Sequence, residues 1–189
     1  MIRFAINGFG RIGRNTYRAI IERGLDKELE LVAVNDLTDA TTLAHLLKYD
    51  SVLRKFPGSV EEREGALVVN EKKIQVIAEK DPEKLPWKKL KIDVVLECTG
   101  RYTKDGAARA HLKAGAKRVI ISAPAKGGDV KTFVLGVNQR AYQGEHVNSH
   151  ASGTPNGVSP VTRVVNDAFG IEKAALTTIH AVTAEQNLV

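Results

Sequence analysis

The chain has almost no cysteine: Cys98 is the single thiol in 189 residues. One thiol cannot build an internal disulfide framework, and such sparing use suits a reducing cytosol. Long hydrophobic runs are missing as well, and without about 18 consecutive apolar residues no membrane-spanning helix is expected. The opening MIRFAINGFG lacks the basic stretch and apolar segment of a secretory leader, so a cytoplasmic protein is expected. Histidine, cysteine and acidic residues nowhere fall at metal-ligand spacing, so no metal is expected. Aromatic residues make up 5% of the chain, with no aromatic-rich stretch of the kind RNA-binding sheets use. Internal repeats and low-complexity linkers are absent.

What is present is ordinary for a globular protein: 43% hydrophobic and 26% charged residues, enough to bury a real core. The formal charge of +6 is scattered rather than clustered. It reads as a solvated basic surface, or as a balance that accommodates a phosphate-bearing cofactor or substrate, and no nucleic-acid partner is expected.

Strand-length apolar runs alternate with helix-period stretches. IRFAIN (2–7) reads as a strand, and a helix follows from about Arg11 to Arg23, with Ile12, Thr16, Ala19 and Ile20 on one face and a stop at Gly24. LELVAVND (29–36) is a second buried strand, and DATTLAHLLKY (39–49) returns to helical spacing. ALVVN and KIQVIAE form a hairpin around EKK (71–73), expected as a local excursion rather than a core strand pair. KIDVVLECTG (91–100), AKRVIIS (116–122) and TFVLGV (132–137) are apolar on both faces, as strands of a doubly covered parallel sheet are. KDGAARAHLKAG (104–115) is the expected crossover helix. After HVNSHAS the texture changes: Val161, Val164, Val165, Ala168 and Phe169 form one helical stripe ending at Gly170, and KAALTTIHAVTAEQNLV begins as a strand. A chain that stops just after a strand is expected to be truncated.

INGFGRIG contains Gly8-Phe9-Gly10-Arg11-Ile12-Gly13, a G-x-G-x-x-G. Alone the pattern is weak, but it follows a strand, opens a helix, and is followed by Asp36 at the end of the next strand, 23 residues after Gly13. Together these make a dinucleotide-binding fingerprint. Gly8 permits the tight turn, Gly10 lets backbone approach a pyrophosphate, and Gly13 lets helix and strand pack closely. Asp36 accepts from ribose hydroxyls and repels a 2′-phosphate, so NAD is expected over NADP. Asn35, just before it, reads as turn chemistry or as a further contact. The fold expected is α/β, a Rossmann-type doubly wound, mostly parallel sheet.

With INGFGRIGR, VNDL, LLKYDSV, CTG, SAPA and TTIHAVT in that order, the chain resembles the phosphorylating, NAD-dependent glyceraldehyde-3-phosphate dehydrogenases. The resemblance implies an NAD-binding domain over 1–150 and the beginning of an α+β catalytic domain over 151–189. It implies cofactor contacts from Asn7, Gly8, Phe9, Gly10, Arg11, Ile12, Gly13, Asn35, Asp36, Lys80, Thr99, Gly100 and Ser122. Erythrose-4-phosphate dehydrogenases share the scaffold.

The family carries its catalytic cysteine in an A-S-C-T-T-N-C segment, whereas this chain reads Ala151-Ser152-Gly153-Thr154-Pro155-Asn156-Gly157. Both cysteine positions are glycine. The family's catalytic histidine falls on His180, 27 residues after Gly153, which is the family spacing. In the family a thiolate attacks the aldehyde of glyceraldehyde 3-phosphate, hydride passes to NAD, and inorganic phosphate cleaves the thioester. Ser152 and Thr154 match residues that hold the attacking phosphate, and Thr183 one that contacts the substrate phosphate. Glycine cannot replace the sulfur, so the chain is expected to be inactive. Cys98 reads as buried and inert, Ser152 as a poor substitute nucleophile, and His45, His111, His146 and His150 as histidines without catalytic context. The family's remaining catalytic-domain residues fall beyond Val189, which implies an exposed apolar face and self-association. A non-catalytic NAD-binding module is the competing expectation, and RNA binding through the basic surface a weaker one.

Overall fold

In the computed structural model, which describes residues 1–179, the expected alternation of strands and helices is realised. In chain order the elements are β1 (Ile2–Asn7), α1 (Arg11–Glu22), β2 (Leu29–Asn35), α2 (Ala40–Lys48) and a small hairpin, β3 (Tyr49–Asp50) with β4 (Arg54–Lys55). There follow β5 (Val60–Arg63), β6 (Ala66–Val69), β7 (Lys72–Ile77), α3 (Trp87–Leu90), β8 (Val94–Glu97) and α4 (Ala110–Lys113). β9 (Arg118–Ile121), β10 (Lys131–Thr132), β11 (Val147–Ser149) and α5 (Gly153–Phe169) complete the set. One nine-stranded sheet runs β10-β11-β9-β8-β1-β2-β7-β6-β5. It is parallel from β10 to β7 and antiparallel at β7–β6 and β6–β5.

Alternation along β1 and β2 sends large residues to one face and alanines to the other. Ile6 and Val34 pack with Tyr17 and Ile20 of α1 and Leu43 and Leu47 of α2. Ala5 and Ala33 leave room on the opposite face for Trp87, which is fully buried with Ile92 and Val95. A third cluster joins Val119, Ile121, Val147 and Ala108. Each fully buried large apolar side chain contributes about 1.5–3 kcal/mol relative to exposure.

Five expectations are corrected. The hairpin of β6 and β7 is no excursion, because β7 pairs in parallel with β2 (Ala33↔Gln75) and so extends the main sheet. The buried face of α1 is Gly13, Tyr17 and Ile20, at spacings of four and three; Ile12 is half exposed. The crossover helix is shorter than 104–115, since Asp105 and Gly106 take φ of 49° and 71° and helical turns begin only at Ala107. TFVLGV is strand only at Thr132, because the Asn138 side chain captures the Thr132 carbonyl (3.0 Å) and the Val134 N–H (2.8 Å) and turns the chain. Lys173–Ile179 is not a strand: the backbone there takes no strand conformation in a ladder, and a strand needs a ladder to hold it. The α5 stripe has the expected period, yet Val161, Val164 and Phe169 are exposed.

Candidate functional site

All the parallel strands end at one edge, and from β1 the chain winds outward to β2 on one side and to β8 on the other. Such a switch point leaves a crevice at the carboxyl ends of the strands. Here a cleft of about 410 Å³ is lined by Asn7, Gly8, Gly10, Arg11 and Ile12, by Asn35, Asp36 and Lys80, and by Cys98, Thr99, Arg101 and Tyr102.

The three motif glycines differ in what enforces them. Gly8 has φ +90°, and a Cβ there would lie 2.8 Å from the Thr99 nitrogen. At Gly13 a Cβ would lie 2.4 Å from the Gly8 carbonyl oxygen and 2.9 Å from Ile6. Gly10 has φ −71°, and its Cβ would meet no protein atom within 4 Å. Gly8 and Gly13 are therefore required by the fold itself, whereas Gly10 borders open cleft. Behind it, α1 begins with neither a side-chain cap nor a first-turn carboxylate, so its terminal N–H groups and positive dipole end are left for an anion.

Asp36 is held by the same turn. Its Oδ2 accepts from the Phe9 N–H (2.8 Å) and its Oδ1 from the Thr38 N–H (3.0 Å), each oxygen keeping a further lone pair. The Phe9 ring is buried in the core, so Phe9 serves the site through its backbone. Gly13, Gly100 and Ser122 also lie off the cleft lining; Ser122 donates its backbone N–H to the Glu97 carbonyl (3.0 Å). Arg11 faces Asp50 at 3.6 Å, and the Leu53 and Val52 N–H groups hold the Asp50 carboxyl below its ordinary range. Lys80 stands exposed at the rim, where its carbonyl accepts from the Tyr102 hydroxyl (3.0 Å). Burial pushes the Cys98 thiol up to about 11, which leaves it protonated and unreactive near neutral pH.

Beneath the cleft lies a polar run that sequence reasoning missed. Glu97 and His111 are fully buried and 2.9 Å apart, with Asn7 Nδ2 2.6 Å from Glu97 and Trp87 Nε1 3.0 Å from His111 Nδ1. His111 thus has a context that spacing did not reveal. The available signal was a charged residue ending the apolar run VVLE.

At the same sheet edge β11 delivers the chain to α5. Three strand spacings separate β11 from β1, about 14 Å. Ser149 Oγ donates to the Ala123 carbonyl (2.8 Å) and accepts from the Ala151 N–H (3.1 Å), which fixes the approach. Asn156 Nδ2 donates to the carbonyls of His150 (2.7 Å) and Ser152 (2.8 Å). Ser152 is the N-cap residue without a side-chain cap bond, and Thr154 lies in the first turn. A Cβ at Gly153 would meet nothing within 4 Å, and the same holds at Gly157. His180 and Thr183 lie outside the described residues. Among the described residues no cluster of three metal-ligating groups occurs, and no helix is long and apolar enough to cross a membrane.

Comparison with known proteins agrees with this geometry. Residues 2–105 match the family described as glyceraldehyde 3-phosphate dehydrogenase, NAD binding domain, and residues 152–189 match that enzyme's C-terminal domain. Glyceraldehyde-3-phosphate dehydrogenase of Clostridium pasteurianum is 58% identical over 99% of the chain and 55% of its own length. That of Thermotoga maritima is 53% identical over 100% of the chain and 56% of its own length. The cytosolic enzyme of Trypanosoma brucei brucei is 49% identical over 100% and 56%. The chain thus spans about half the length of the curated relatives it matches.

Proposed function

Because the chain belongs to the glyceraldehyde-3-phosphate dehydrogenase family and carries its NAD-binding domain, we propose that NAD lies in the cleft at the ends of β1, β2 and β8. The observation that carries this reading is Gly10, a glycine no protein contact demands, beside an uncapped helix end. The α1 N–H groups would hold the pyrophosphate, and the free lone pairs of Asp36 the adenosine ribose hydroxyls. The Asp36 charge opposes a 2′-phosphate and so selects NAD over NADP. Bound there, NAD supplies the hydride acceptor of the family reaction.

The parent reaction is the oxidation of glyceraldehyde 3-phosphate with inorganic phosphate as co-substrate, in the cytoplasm and in a self-associating protein. Residues 151–189 open the catalytic domain, where Ser152, Thr154 and Thr183 would receive phosphate groups and His180 would move the proton. This chain does not run that reaction, because Gly153 stands at the nucleophile's position and the one thiol, Cys98, is protonated in its buried setting. The space at Gly153 supports this reading: a side chain would fit there without displacing any neighbour.

Calorimetric titration with NAD and NADP tests the cofactor reading. Selective NAD binding, weakened by Asp36→Ala, is expected; equal binding of both, or of neither, overturns it. Production of NADH from glyceraldehyde 3-phosphate by this chain would overturn the predicted inactivity.

A further inference from the structure

The floor of the cleft is a run of hydrogen bonds whose direction is fixed at both ends by groups that cannot reverse. At one end the Glu79 N–H donates to Asn35 Oδ1 (2.9 Å) and the Glu79 carbonyl accepts from Asn35 Nδ2 (2.9 Å), so the Asn35 amide has one possible orientation. Asn35 Nδ2 therefore donates to Asn7 Oδ1 (2.7 Å), and Asn7 must turn its own Nδ2 toward Glu97 Oε2 (2.6 Å). At the other end the Trp87 indole can only donate, so His111 Nδ1 accepts from it and the ring proton sits on Nε2, aimed at Glu97 Oε2 (2.9 Å). The remaining oxygen, Oε1, receives the Thr99 N–H (2.8 Å) and the Thr99 hydroxyl. Four donors meet on one buried side chain, and only a carboxylate, which accepts at every position, satisfies them all.

We propose that Glu97 is a positioning residue of the dinucleotide site, the common acceptor that locks the Thr99–Arg101 turn against the Gly8 turn. The inference rests on the NAD reading above. Its geometric basis is the backbone contact between the two turns, so tight that a Cβ on Gly8 would lie 2.8 Å from the Thr99 nitrogen. Glu97 fixes that nitrogen from below, while Asn7, also bound to Glu97, immediately precedes Gly8. With its proton committed to Glu97, the Thr99 hydroxyl accepts from the Arg101 N–H (3.1 Å), which closes the turn at the cleft wall.

The polarity of the run supplies a test that mere space-filling would not pass. Glu97→Gln keeps the shape but introduces an NH2 group. In one orientation that group opposes the Thr99 N–H, and in the other it opposes Asn7 and His111. Asn7→Asp reverses the partner: its new oxygen can accept from that introduced NH2 group and from His111 Nε2, which lies 3.4 Å from the present Asn7 nitrogen. The double variant Asn7→Asp/Glu97→Gln retains a single buried charge and restores the bonds to position 7 and to the Thr99 N–H, leaving the His111 Nε2–H, 2.9 Å from the introduced nitrogen, to turn toward the new oxygen at position 7. NAD affinity is measured by calorimetry for wild type, Glu97→Gln and the double variant. The Thr99 amide and the indole N–H of the one tryptophan are followed by nitrogen-15 NMR. Glu97→Gln is expected to weaken NAD at least tenfold and to move one of the two resonances, and the double variant to recover about threefold or more of that loss and to move the resonance back toward wild type. Wild-type affinity in Glu97→Gln overturns the proposal, as does a double variant that folds or binds no better than Glu97→Gln. Absence of NAD binding by wild type overturns the cofactor reading instead. The resonances then decide for Glu97: movement in the single variant and return in the double support it as the shared acceptor, and unmoved resonances overturn it.

Discussion

Two strand–turn–helix units stand at the same sheet edge: β1 leading into α1 and β11 leading into α5. Both helices start without a side-chain cap or a first-turn carboxylate. They differ in what lies behind that end. α1 buries Gly13, Tyr17 and Ile20 against the sheet, and its turn is wedged by two glycines that no larger residue could replace. α5 buries none of its residues, and a Cβ at Gly153 or Gly157 would meet no neighbour within 4 Å. Chemical similarity of two helix ends thus conceals two kinds of glycine. Those at 8 and 13 answer to neighbouring protein atoms. Those at 10 and 153 do not, and under the proposed function one borders the bound dinucleotide and the other stands at the nucleophile's position.

The largest expected effect breaks the first kind. Gly13→Ala drives a Cβ to 2.4 Å from the Gly8 carbonyl oxygen and should cost about 3 kcal/mol in urea denaturation. Gly153→Ala, in open space at a helix start, should change stability by less than about 1 kcal/mol and in the favourable direction. Equal costs at the two sites would erase the distinction.

A smaller effect is expected below the cleft. His111→Phe strands the Trp87 N–H and removes one donor from Glu97, and should cost about 2 kcal/mol, read as a lowered denaturation midpoint. Among the described residues no such buried run supports α5.

Smaller still is an acid effect on the segment that leads into β11. The Lys131 ammonium, with help from the Gln143 N–H, holds the Glu145 carboxyl down at about 2, against an ordinary 4.5. Because the folded value is depressed, the associated stabilisation is complete above 4.5 and is lost as pH falls toward 2. The Lys131 partner is exposed and solvent screens the pair, so the slope should be shallow, and Glu145→Gln should flatten it in denaturation measured between those pH values.

The α1 unit was legible in the sequence because its constraints are local: the glycine spacing, the preceding strand and Asp36 all sit within one β-α-β stretch. The helical period of α5 was legible for the same reason, although no period says what a face will meet. The place of β7 beside β2 was not legible, since the hairpin registers locally while the Ala33–Gln75 pairing joins residues far apart in the chain. Glu97 and His111 stayed hidden on similar grounds. Fourteen residues separate them, and only the fold brings the end of β8 beneath α4. The burial face of α1 is displaced by one position from the apolar pattern, because Ile12 has the composition of core whereas Gly13 is the residue that meets the sheet.

Gly10→Ala tests the central claim most directly, with urea denaturation and NAD calorimetry performed on the same preparation. Stability is expected to fall by less than about 1 kcal/mol, since no protein atom lies within 4 Å of the new Cβ and only the N-cap preference for glycine is lost, together with a loss of NAD affinity of about tenfold or more. Wild-type NAD affinity in Gly10→Ala would contradict it, because Gly10 would then be reserved for no ligand in that cleft.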